Sequence, residues 1–163
     1  MRKIISVLTL IVCIISLTAC HDMPWQKKAP DLEKIDWEFA YSSNEGIKDE
    51  KKVYYWLEDA PIDRENAKQV ELNIRFSEGE MVLTNRKEGT EYVGNYQQIE
   101  SDSNNSWQFS GNIEGKECNL SIAVTELIDW QTEYTGFDGN KYGTYYLTVT
   151  VDGISLNFFG TED

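Results

Sequence analysis

One histidine, His21, stands in 163 residues. Its near-absence removes histidine-based triads, the usual histidine-containing zinc sites and cysteine–histidine nucleophile pairs. Basic residues are also scarce: 15 Lys and Arg against 28 Asp and Glu, a net charge of −13. No basic stripe exists, which argues against nucleic acid as a partner. A Gly-x-Ser-x-Gly turn, a phosphate-cradling loop and a dinucleotide fingerprint are all missing. Among 28 acids some pair is always close, so a glycosidase-type carboxylate dyad carries no information here. Asp102-Ser103-Asn104-Asn105 and Asp138-Gly139-Asn140 hold oxygen ligands. Neither continues into a helix-flanked calcium loop, and turn chemistry explains both. The expectation is a non-enzymatic protein with no cofactor and no metal.

What is present first is an address. Met1-Arg2-Lys3 is cationic, Ile4 to Leu17 is an apolar run, and Leu17-Thr18-Ala19-Cys20 closes it. This is the grammar of a secretory signal, and the four closing residues resemble the lipobox of bacterial lipoproteins. The resemblance implies that the Cys20 thiol receives a diacylglycerol, that residues 1–19 are removed, and that the new amine is acylated. Each buried methylene is worth roughly 0.8 kcal/mol and stable anchoring takes about two chains, so such a product stays on its membrane. His21 stands where inner-membrane lipoproteins carry aspartate; in a Gram-negative host the resemblance implies the outer membrane.

Three parts follow: a signal at 1–19, a lipidated tether at 20–34 punctuated by Pro24 and Pro30, and a domain at 35–163. Taking 19 residues from 163 leaves 144, ample for one core. Losing Arg2 and Lys3 with the signal moves the net charge from −13 to −15. Cys13 leaves with the signal and Cys20 carries lipid, so Cys118 stands without a disulfide partner. It alternates with Leu120, Ile122 and Val124, as a small core residue does.

Period-two alternation dominates the domain. Trp37, Phe39 and Tyr41 share a face; Val53 to Leu57 is rich in aromatics; Val70, Leu72, Ile74 and Phe76 alternate with Glu71, Asn73 and Arg75. Met81 to Thr84 returns as a hairpin partner. Further strands are expected at Glu91 to Ile99, weakened by Gly94, and at Trp107 to Ile113, Cys118 to Val124, Tyr145 to Val151 and Ile154 to Phe158. Ser77-Glu78-Gly79-Glu80, Lys87-Glu88-Gly89 and Glu114-Gly115-Lys116 read as turns between them, and Asp152-Gly153 as a two-residue turn signal. Pro61 to Gln69 reads as a helix of about two turns. The prediction is an all-β domain: a single antiparallel meander of about eight or nine strands, closed as a barrel or packed as a sandwich, with at most one or two short helices. Ile35-Asp36-Trp37 resembles the Gly-x-Trp of lipocalin-like barrels, with isoleucine in place of the glycine, and no ligand site is carried over.

Thr125 to Thr144 breaks the short-turn rule. Trp130, Glu133, Tyr134, Phe137, Asp138 and Tyr142 fall here, aromatics among acids. Long loops carry function more often than average, and such a loop suits a basic protein partner: rings supply buried area, carboxylates supply steering. The alternative places those rings in the core, with a short helix around Leu127 to Gln131 plugging one barrel end. The functional expectation is a membrane-anchored binding module for a cationic partner, of inhibitor or immunity type. Two others stand beside it: a carrier holding a small apolar ligand among Val70, Leu72, Ile74, Leu147 and Val149, and a structural role in envelope assembly.

Overall fold

The described residues form ten strands, and the hairpin turns at Glu78-Gly79, Glu114-Gly115 and Asp152-Gly153 fall where the sequence signals them. The computed structural model describes residues 28–43, 53–65, 67–99, 106–130 and 136–162; Cys20 and its signal lie outside these. The strands are β1 (Ile35–Ser43), β2 (Val53–Tyr55), β3 (Ala67–Gln69), β4 (Leu72–Ser77), β5 (Glu80–Asn85), β6 (Thr90–Ile99), β7 (Ser106–Ile113), β8 (Lys116–Val124), β9 (Tyr145–Val151) and β10 (Ile154–Glu162). β4 to β10 form an antiparallel meander, and β1 pairs with both β4 and β10 to close it. The molecule is therefore an eight-stranded barrel rather than a sandwich. β2 and β3 are an excursion between β1 and β4.

Three hairpins turn through Glu78-Gly79, Glu114-Gly115 and Asp152-Gly153, all at positive φ. Two successive positive-φ residues are what a two-residue turn of type I′ requires, and it matches the twist of the strands it joins. Inward residues fill the barrel. Trp37, Phe39, Ile74, Met81, Leu120, Ile122, Leu147, Val149 and Phe158 are essentially fully buried. Rings meet edge to face across the interior: Trp37 with Phe76 at 6.3 Å, Phe76 with Tyr96 at 5.0 Å and Phe39 with Phe158 at 5.5 Å. Cys118 is buried among them, as its alternation implies. Of the five residues expected to line a ligand cavity, Ile74, Leu147 and Val149 are packed in this core. Val70, buried in the same core, and Leu72 border a cavity at the barrel mouth, and Leu72 also faces a cleft beside β1.

Three expectations are corrected. Pro61 to Gln69 is not a helix. Its last residues form β3, which runs parallel to β2 with Val53 opposite Ala67 and Tyr55 opposite Gln69. Two turns are marginal as a helix, and the Asp63 side chain takes the Glu65 N–H into a local turn at 3.0 Å. The edge of β2 offers ladder bonds instead, which Val70 N continues onto Tyr55 O at 2.9 Å. Second, the fold reaches into the tether: Leu32, in a 3-10 turn at Leu32–Lys34, is buried in the barrel core. Third, Tyr41 does not share a face with Trp37 and Phe39. The β1–β10 register slips between Phe39, opposite Phe158, and Tyr41, opposite Asn157. This bulge places one extra residue, Ala40, in β1 and turns Tyr41 outward.

Candidate functional site

The outward turn of Tyr41 founds a second hydrophobic core on the outer wall of the barrel. Tyr41, Tyr146 and Phe159 project from β1, β9 and β10, and Ala60, Trp130 and Phe137 cover them from two loops. Trp130 sits 5.0 Å from Tyr146, 5.5 Å from Phe137 and 5.8 Å from Phe159. Its Nε1 donates to Thr125 O at 3.1 Å and Asn140 Oδ1 at 3.3 Å. The hydroxyls of Tyr41 and Tyr146 satisfy each other at 3.0 Å. The carbonyl of Ala40, freed from the ladder by the bulge, accepts Trp56 N at 2.8 Å and Leu57 N at 3.2 Å. The bulge thus pulls the β2 excursion against this wall.

The long loop therefore spends its rings on packing. Trp130 and Phe137 are buried, and Tyr142 is half-buried and stacked on Phe137 at 5.9 Å. Asp138 is exposed, but its carboxylate accepts Asn140 N and caps the 3-10 turn Gly139–Lys141. Glu133 and Tyr134 lie outside the described residues. Trp130 and Phe137 thus form the cover that the outer wall left by Tyr41, Tyr146 and Phe159 demands, and with Asp129 and Asp138 they also line a depression of about 400 Å³. A latch fastens that cover to the neighbouring loop: Asp59 accepts from Lys141 and from the Tyr142 hydroxyl. Partial burial of Asp59 works against its charge, but hydrogen bonds from Lys141 and Tyr142 outweigh it, and its carboxyl sits below the usual value. Desolvation and the Asp59 carboxylate together raise the Tyr142 hydroxyl.

Beside this second core lies a cleft of about 350 Å³. β1 stays paired with β4 only at Trp37–Ile74 and Glu38–Asn73. The strands part beyond that point, and Trp56 enters from the excursion. Asp36 and Glu38, outward and exposed on β1, line the cleft with Glu71, Arg86 and Trp56; Phe159 and Tyr142 form its border with the outer core. Trp56 Nε1 donates to Glu38 Oε1 at 3.0 Å, which orients the carboxylate against the indole. Arg86 is held by Glu71 at 3.1 Å. The four charged side chains sum to −2, three carboxylates against one guanidinium. Asp36 has no cation beside it among the described residues.

The same imbalance covers the surface. The described residues hold 20 acids and nine Lys or Arg. Seven of those cations are each within 4.0 Å of one carboxylate. Such exposed pairs are worth little individually, but they leave most acids without a counter-charge. Sequence reasoning missed the cleft because its residues come from β1, the excursion, β4 and the β5–β6 turn. Only Asp36 and Glu38, two apart on the solvent face of a strand, signalled it. No known protein family, curated protein or solved structure matches the chain.

Proposed function

We propose that the protein is a non-enzymatic, lipid-anchored module of the cell envelope that binds a basic protein partner, as an inhibitor or immunity-type lipoprotein does. The observation that carries this reading is the cleft at Asp36, Glu38 and Trp56. It pairs excess negative charge with an aromatic face, the combination that receives a lysine or arginine side chain. Lys87 Nζ already lies 5.8 Å from the Trp56 ring centre, so the indole takes a cation of the chain itself. The surface charge supplies steering toward a basic partner.

The anchor rests on Cys20, in the resemblance of Leu17-Thr18-Ala19-Cys20 to a lipobox. Labelled palmitate should enter the protein in cells and fail to enter Cys20→Ser; equal labelling of both would remove the anchor. For the partner, the chain immobilised against envelope extract should capture a protein of high isoelectric point. Capture should fall between about 0.1 M and about 1 M salt, as the screening length shrinks from roughly 10 to 3 Å. The Asp36→Asn/Glu38→Gln variant should capture less of the same protein. Salt-insensitive capture, or equal capture by the variant, would refute the reading.

A further inference from the structure

The barrel mouth carries a second cavity that the cationic-partner reading does not use. It measures about 290 Å³, at the lower edge of the size range of small-molecule pockets. Val70, Leu72, Leu83 and Leu156 make an apolar floor above the packed core, and Tyr54 and Tyr92 stand on its sides. The polar group that sets its chemistry is Asn85. This residue is the last inward position of β5, after Met81 and Leu83, and is only 9% exposed. Its Oδ1 is fully engaged, accepting Lys87 N at 3.2 Å and Glu88 N at 3.3 Å in the β5–β6 turn. Its Nδ2 has no partner among the described residues, although Asn85 lines the cavity. That nitrogen is open to the solvent in the cavity, so an acceptor from outside replaces a water and adds only the net value of one hydrogen bond.

We infer that the mouth binds a small neutral molecule with an apolar, ring-sized body and one hydrogen-bond acceptor, which Asn85 Nδ2 engages. Neutrality follows from the surroundings. The lining holds one cation and one carboxylate, Lys68 and Glu88, and they hold each other at 3.4 Å, which leaves neither as the partner of a charged ligand. That pair is more than half exposed on both sides and ties β3 to the β5–β6 turn across the opening. Exposed pairs are weak, so the rim yields easily to a ligand. The site is shallow, because Ile74, Leu147 and Val149 close the barrel beneath it.

Three probes of similar size test this on the purified full chain by isothermal titration: acetophenone, with a carbonyl acceptor; ethylbenzene, without one; and benzoate, with a charge. Acetophenone should bind best, with ethylbenzene weaker by roughly three- to tenfold, the value of one net hydrogen bond. Asn85→Asp keeps the oxygen that caps the turn and deletes the donor. It should weaken acetophenone by a similar factor and leave ethylbenzene little changed. Leu72→Trp, which fills the floor from a half-buried position, should abolish both while the far-ultraviolet circular dichroism stays that of the parent. No binding of acetophenone, tighter binding of benzoate, or binding that survives Leu72→Trp would each overturn the inference. Leu72 also borders the acidic cleft, so Asn85→Asp, at a residue that does not, assigns the binding to the mouth, and no outcome depends on whether the cleft takes a basic partner.

Discussion

Replacing Trp130 by alanine separates a packed ring from an offered one. The indole is 3% exposed. It contacts Tyr146, Phe137 and Phe159, and it lies so close on Gly139 that a Cβ there would fall 2.4 Å from the ring. Removing a buried tryptophan costs about 3–5 kcal/mol, the larger values applying where the surroundings cannot collapse. Here the floor is a strand wall paired on both sides, so collapse is limited and the upper half of that range applies. The Thr125 carbonyl also loses its Nε1 donor. Against a domain stability of about 5–15 kcal/mol this is a large fraction. With a urea slope of about 2 kcal/mol per molar, the unfolding midpoint should fall by roughly 2 M. Trp130→Phe keeps most of the ring area and loses only the donor, and should cost about 1–2 kcal/mol. Urea unfolding followed by far-ultraviolet circular dichroism reads both. A Trp130→Ala variant within about 0.5 kcal/mol of the parent would refute the second core, because that is what truncation of a solvent-facing ring does.

Three further outcomes follow from the same geometry. Gly94→Ala and Gly111→Ala should each cost about 3 kcal/mol or more, or prevent soluble expression, since the added Cβ would fall 2.1 Å from the backbone carbonyl of Asn112 or Asn95. Asp59 has a folded pKa below its unfolded value of about 3.9, so its latch is intact above that pH and is lost as pH falls through the folded value. Thermal scans should accordingly show the parent losing a few degrees of Tm more than Asp59→Asn on acidification below about pH 4, the pair being largely solvent-exposed. Burial pushes the Cys118 thiol up and leaves it 3% exposed. Alkylation of Cys118, followed by peptide mapping, should therefore run at least about 100-fold slower in buffer than in denaturant.

The barrel was legible because its signal is local. Hairpin partners such as Ile74 and Leu83, or Leu147 and Phe158, lie a few residues from a two-residue turn, and the alternation that aims one inward aims the other too. What stayed hidden depends on partners far apart in sequence. The slip at Ala40 has no local mark: Phe39-Ala40-Tyr41 alternates perfectly, and only the pairing with Phe158 and Asn157 reveals the extra residue. The helix expected at Pro61 to Gln69 failed for the same reason. Its propensities are real but small, while the free edge of β2, more than ten residues upstream, supplied the competing bonds. Trp130 and Phe137 were visible as a cluster of rings. Their destination was not, because the wall they cover exists only once Tyr41 faces outward.

The acidic cleft is a consequence of that one irregular residue. A regular β1 would place Tyr41 inside with Trp37 and Phe39, and the outer wall would have no third ring beside Tyr146 and Phe159. The Ala40 carbonyl would then pair along the ladder rather than accept Trp56 N and Leu57 N. Without those bonds nothing fixes Trp56 above Glu38, and the cleft would lose the donor that orients its carboxylate. The two loops over the outer core are tied through Asp59, Lys141 and Tyr142, and Tyr142 and Phe159 border the cleft as well as the core. The cleft is thus built on packed rings and ladder-bonded backbone. A site held in this way loses little conformational freedom when a ligand or partner binds, which gives the second core a role beyond stability: it preorganises an acidic, aromatic depression in the barrel wall.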